Sequence, residues 1–222
     1  MPLSYPRQPA RVLVDPRDAA SFTLAQYLAE QCFYVWKGKP PFGDVSRTRP
    51  FRLRRVYFEW PDPNIRLEYP SASVVDDGEP EYQAHNLVPT PLDQDLLDLD
   101  AGTVVWKVAE AQGTFQLDFW ADNVPVRTAI AAQLGGIFNP EECRSGVLLE
   151  GPKEFFCCPI RFTLLSVQRM DQPNLIYANE RRLTCSVQWE APVLDVRGAV
   201  PFQPRTALEV TEPGAVEDTS GS

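Results

Sequence analysis

Residues Gly113–Pro140 read GTFQLDFWADNVPVRTAIAAQLGGIFNP, and the change of period inside this stretch decides the fold class. In its first half, Phe115, Leu117 and Phe119 alternate with Gln116, Asp118 and Trp120. That is the period of a strand with one face covered. In its second half, Val126, Ala129, Ile130 and Leu134 recur at the spacing of a helix and predict its buried stripe. Asn123 suits the N-cap, where its side-chain oxygen can accept from a free backbone N–H. Pro125 suits the first turn, which needs no N–H from it. Gly135-Gly136 predicts the end of the helix. A strand therefore feeds directly into an amphipathic helix, and neither half carries a catalytic signature.

Upstream, TVVWKVAEAQ reads as the first arm of a hairpin, with Val104, Trp106 and Val108 on one face and a turn at Ala111-Gln-Gly. An acidic excursion, residues 76–100, precedes it: DDGEPEYQAHNLVPTPLDQDLLDLD has several prolines and no sustained period. FRLRRVYFEW (Phe51–Trp60) reads as a strand, with Arg52 and Arg54 alternating against Phe51, Leu53 and Tyr57. IRLEYPSASVVDD reads as a second strand, and Pro70 places it at a sheet edge. A first helix is predicted over Arg17–Tyr34, with Phe22, Ala25, Leu28, Ala29 and Cys32 inward and Asp18 or Ser21 as its cap. Lys37-Gly-Lys-Pro-Pro is the stop signal.

Downstream, GVLLE and PIRFTLLSVQRM read as strands. ERRLTCSVQWEAP is the cleanest alternation in the chain. Leu183, Cys185, Val187 and Trp189 face one way, and Arg182, Thr184, Ser186 and Gln188 the other. Strands in succession with two helices covering one face predict an α+β fold with a mainly antiparallel sheet and a long acidic loop insertion. Residues 1–200 form one domain on this reading. Residues 201–222, with little to bury, form a flexible C-terminal tail.

The chain has 222 residues and a net charge of −9, with a pI near 4.7. That balance argues against a nucleic-acid-binding surface, which needs clustered Lys and Arg. It permits an acidic surface that repels DNA, which is useful in a conduit. Proline is frequent, 22 residues, about twice average usage, and marks many rigid turns. The five cysteines are odd in number and irregularly spaced, and they read as free thiols in a reducing compartment. No apolar run approaches the ~18 residues of a membrane span, and MPLSYPRQPA has no signal-peptide core. A protein made in a cytoplasm is expected.

Enzyme chemistry finds no foothold. The one histidine, His85, lies in the acidic excursion, and its neighbours in sequence give no support to a catalytic relay. Glycine-rich phosphate loops are absent. One His and scattered Cys cannot make the usual zinc sets. Asp76, Asp77, Glu79 and Glu81 miss the spacing of a calcium loop. No catalytic, metal or cofactor site is expected.

The order of elements, the segment LDFWADNVPVRTAI and the closing strand ERRLTCSVQWEAPV resemble the tail-terminator proteins of long-tailed bacteriophages. The resemblance is one of pattern and spans roughly Ala19 to Val193, with gaps. The excursion 76–100 and the residues after 200 lie outside it. It implies an α+β subunit, without an active site, that closes into a ring, commonly of six, at the neck of the virion. The implied partners are other copies of the chain, the tail tube or sheath protein and the head-side connector, with DNA passing through the lumen. Assembly would take place in the host cytoplasm. Candidate interface residues are Trp120, Arg127 and Arg182, with Asp93, Asp95 and Asp98 on the excursion. Another neck or baseplate component, a non-viral protein-binding module and a hydrolase with dispersed carboxylates are the alternatives.

Overall fold

The structure, a computed structural model, describes residues 11–36, 48–61, 66–83, 90–91, 103–139, 145–170 and 181–198. The chain forms β1 (Arg11–Val14), α1 (Pro16–Glu30), β2 (Phe33–Trp36), β3 (Thr48–Phe51), β4 (Arg55–Tyr57), β5 (Ser71–Asp76), β6 (Glu81–Gln83) and β7 (Thr90–Pro91). It continues with β8 (Thr103–Ala121), α2 (Val124–Phe138), β9 (Val147–Glu150), a 3-10 turn (Lys153–Phe155), β10 (Pro159–Met170) and β11 (Arg181–Gly198). The fold is α+β. Its main sheet runs β4-β5-β8-β11-β10-β9, with β1 added to β11 and with β6 and β7 added to β8. All pairings are antiparallel among the described residues except β4 with β5. β2 and β3 form a separate antiparallel pair.

One face of the sheet carries the core. Ala72, Phe119 and Leu183 lie in one cross-strand row, and Val74, Leu117 and Cys185 in the next. Phe115 pairs with Val187, and Trp189 with Phe162. Both helices close over this face. α1 contributes Ala20, Leu24 and Leu28 to the same buried cluster as Ile130, Leu134 and Phe138 of α2. The Tyr27 hydroxyl donates to the Ile137 carbonyl at 2.8 Å, which ties the two helices together. Burial of that ring raises the Tyr27 pKa. α2 also holds β2. The Gln133 side chain accepts from the Tyr34 N–H and donates to the Tyr34 carbonyl, occupying the place a neighbouring strand would take.

The core face of β11 is as its alternation predicts: Leu183, Cys185, Val187 and Trp189 are all buried. The α2 cap is also as expected, with the Val126 N–H donating to Asn123 Oδ1 at 2.9 Å. Other expectations need correction. The predicted hairpin is one long strand, β8, with no turn at Ala111-Gln-Gly. Gly113 lies directly across from Trp189, and a Cβ there would sit 2.9 Å from the indole ring. The glycine serves a close approach, which in sequence resembles a turn signal. The core residue of the first half is Val105, while Trp106 and Val108 are half-buried. The register slips between Val193 and Leu194, and the buried apolar position of β11 moves there from the odd-numbered row to Leu194, with Asp195 buried beside it.

α1 begins and ends earlier than predicted. Its cap is Asp15, whose carboxylate accepts from the Arg17 N–H at 2.9 Å. It stops at Glu30 because Gln31 is extended and the aromatic, β-branched run Phe33–Trp36 pairs with β3. Its inner face is rotated from the expected one, and Phe22 and Ala29 are exposed. Phe51–Trp60 is not one strand, since β3 ends at Phe51 and β4 starts at Arg55. β5 is not at the edge along Ser71–Ser73. Pro70 precedes the strand, and β4 pairs on its outer side. α2 runs through Gly135-Gly136 to Phe138, because the buried Phe138 ring packs edge-on against Tyr27 and holds the last turn. The excursion is attached to β8 through β6 and β7.

Candidate functional site

The sheet face away from the helices carries the interface candidates Trp120 and Arg182, and a buried polar cluster occupies it. The alternation of β8 puts Gln116, Asp118 and Trp120 on this face. Pairing with β11 sets Thr184 opposite Asp118 and Arg182 opposite Trp120. Asp118 is wholly buried. Its carboxylate accepts from Arg182 Nε and Nη2, both at 2.9 Å, from Thr184 Oγ1 at 2.6 Å and from Gln116 Nε2 at 2.8 Å. Four donors thus meet one buried carboxylate, the arrangement that makes burial of a charge tolerable.

Trp60 closes the cluster. The Arg182 guanidinium lies over its ring at 4.2 Å, a cation–π contact. Trp120 meets it edge-on at 6.5 Å between ring centroids. Trp120 therefore lies on the expected face but is only 4% exposed, while Trp60 is 51% exposed. The exposed aromatic ring of this cluster is Trp60, which the sequence alone left unassigned. Its signal was there in part: Trp60 ends the Phe51–Trp60 run and stands directly before Pro61.

The remaining candidates separate. Arg182 belongs to the cluster. Arg127 is buried in the first half of α2 and is no surface group. Asp93, Asp95 and Asp98 lie outside the described residues, as does His85. Next to the cluster, the hydroxyls of Ser71, Ser73 and Tyr57 are buried without a hydrogen-bond partner among the described residues.

A cleft of about 640 Å³ lies at the end of β5, lined by Phe22, Phe58 and Trp60 and by the carboxylates of Asp18, Glu59 and Asp76. Phe22 stacks on Phe58 at 6.3 Å. Burial raises the Asp76 pKa and outweighs the attraction of Arg17, while Asp18, Asp15 and Glu79 add to the rise. Cys185 is in the core, where burial and the nearby Asp118 charge push its thiol up to about 12. Burial likewise pushes Cys158 up to about 11. Cys157 is raised through its hydrogen bond to Glu150. None of these thiols has the depressed pKa of a nucleophile. No group of three His, Cys, Asp or Glu stands where it could hold a metal ion among the described residues. Within the same residues no helix is long and apolar enough to cross a membrane. No protein-family model matches the sequence, and no curated protein matches it.

Proposed function

We propose that this chain is a structural virion protein of a long-tailed phage, forming a ring at the neck that ends the tail tube and joins it to the head-side connector. The observation that carries the reading is the β8–α2 unit with β11 beside it. The strand that ends in Phe119-Trp120 runs into the Asn123-capped helix, and the arginine-led closing strand pairs with it along its whole length. This is the pattern on which the resemblance rests. The outer face supports a scaffolding role, because its buried carboxylate, Asp118, is engaged in holding Arg182, Thr184 and Gln116. The net charge of −9 suits a ring whose lumen passes DNA without binding it.

The aromatic and acidic cleft at β5 favours a second reading, a protein-binding module that takes a basic segment of a partner. Mass spectrometry of purified virions, with electron microscopy of tails lacking this chain, separates the two. The ring reading expects stoichiometric copies in the particle and tails of uncontrolled length, unjoined to heads, when the chain is missing. Absence of the chain from virions overturns it.

A further inference from the structure

Both margins of the main sheet carry strand edges that no described strand covers. At one margin, β9 pairs with β10 only from Pro159 to Phe162. Leu164–Met170 is left uncovered on the side away from β11 among the described residues. Its side chains are unusually apolar for an edge: Leu165 is 54% exposed, Val167 39% and Met170 37%. The run holds no proline, lysine or carboxylate to guard the edge, and its one charge is Arg169; its one irregularity is a register shift at Leu165, which leaves Ser166–Met170 as the regular edge. At the other margin, β4 covers β5 only from Ser71 to Ser73. Val74–Asp76 and β6 are uncovered there, again among the described residues. This second edge is acidic, with Asp76, Asp77, Glu79 and Glu81, and it is flanked by the exposed rings of Tyr82 and Phe58.

The two edges are unlike each other and complementary. One is apolar with a positive charge; the other is aromatic and negative. We infer that the β10 edge of one copy adds to the β5–β6 edge of a second copy, head to tail, extending the sheet from subunit to subunit. Main-chain pairing would satisfy the uncovered N–H and C=O groups, and the aromatic margin, where Tyr82 lies across from the core residue Ala111, would receive Val167, which lies in the core-side row with Cys185. Arg169 would meet the acidic run. The two surfaces differ, so each added copy presents a fresh edge, and the series closes into a ring when its rotation does. The inference rests on the proposed neck ring for that closure. It moves the subunit contact from the Trp120 face to the sheet margins.

The test is sedimentation of three full-length variants beside the unaltered chain. Leu165→Glu/Val167→Glu places carboxylates against the acidic edge. Glu79→Arg/Glu81→Arg places arginines against Arg169. Each pair is expected to weaken self-association about tenfold or more, as like charges set across an interface do. Both pairs combined in one chain restore opposite charges and are expected to recover association. Thermal melts establish that each variant is folded, and Leu165→Glu alone serves if the first pair is not. An unaltered chain that stays monomeric at its highest soluble concentration overturns the inference. So does association indifferent to the variants, or a combined chain no better than either pair. A chain that pairs by these edges yet is absent from virions overturns the neck reading alone. A chain present in virions whose association ignores the variants overturns the edge inference alone.

Discussion

Asp118 is wholly buried on the sheet face away from the helices. Its place in an alternating strand put it correctly on the outer face, yet alternation cannot say whether an outer face is wet. Burial follows from Trp60, which arrives from another part of the chain to cover Arg182 and Trp120. The two partners of the ion pair should respond unequally to truncation. Arg182→Ala leaves a wholly buried carboxylate with neutral donors only and should cost about 3–5 kcal/mol, the range for stranding a buried charge. Asp118→Ala leaves a guanidinium whose side chain is already 28% exposed and can turn toward water, so its cost should be smaller. Urea denaturation of both variants checks the order; equal losses would show that the carboxylate too reaches solvent. Gly113→Ala tests the close approach, because its methyl must displace the Trp189 ring. A loss of about 1–3 kcal/mol, the range for overpacking, is expected in the same assay. No loss would mean that Trp189 has room to move. Asp76 carries a pH signature. Its raised pKa means that the folded chain binds that proton more tightly than the unfolded chain. Its contribution therefore makes the protein less stable as pH rises from the ordinary carboxylate value to the raised one. Asp76→Asn should remove that part of the slope in a series of denaturation curves; an unchanged slope would assign it to other groups.

At the scale of elements, legibility followed the uniformity of burial. β11 could be read residue by residue because one face packs on the helices throughout Leu183–Trp189. β8 could not, since TVVWKVA has apolar residues on both faces and Gly113 resembles a turn. The helix starts were easier than the ends: Asn123 caps α2 by a local hydrogen bond. The persistence of α2 through two glycines depends on where Phe138 packs, a tertiary fact that propensity does not contain. The candidate site was less legible still, because its cover comes from Trp60 and its sheet margins depend on which strands stop short. A labelling experiment examines β11 as a unit. Cys185 is buried between Leu183 and Val187, with its thiol pushed up to about 12, so a thiol reagent at pH 8 should not reach it in the folded chain. Leu183→Ala should cost roughly 2–5 kcal/mol and speed Cys185 labelling through more frequent opening. Rapid modification of Cys185 in the unaltered protein would show that this strand is not held in the core.

For the whole molecule, net charge and exposed sheet margins act on the same property. Nine excess negative charges weaken any contact between copies at neutral pH, and this repulsion vanishes near the pI of 4.7. What remains there is the apolar β10 margin, with Leu165, Val167 and Met170 open to solvent. An uncovered apolar edge is a template for further strands once repulsion no longer guards it. Turbidity should therefore be greatest close to pH 4.7, and the aggregates should gain β-structure by infrared spectroscopy. Val167→Lys should suppress this, since a lysine on an edge strand must be desolvated when a second strand joins. Thr128→Lys, on the exposed side of α2, adds the same charge away from the margin and provides the comparison. Suppression by the first variant and not the second would locate the vulnerable surface at β10. Equal suppression by both would mean that net charge alone governs solubility and that the margin has no special part in it.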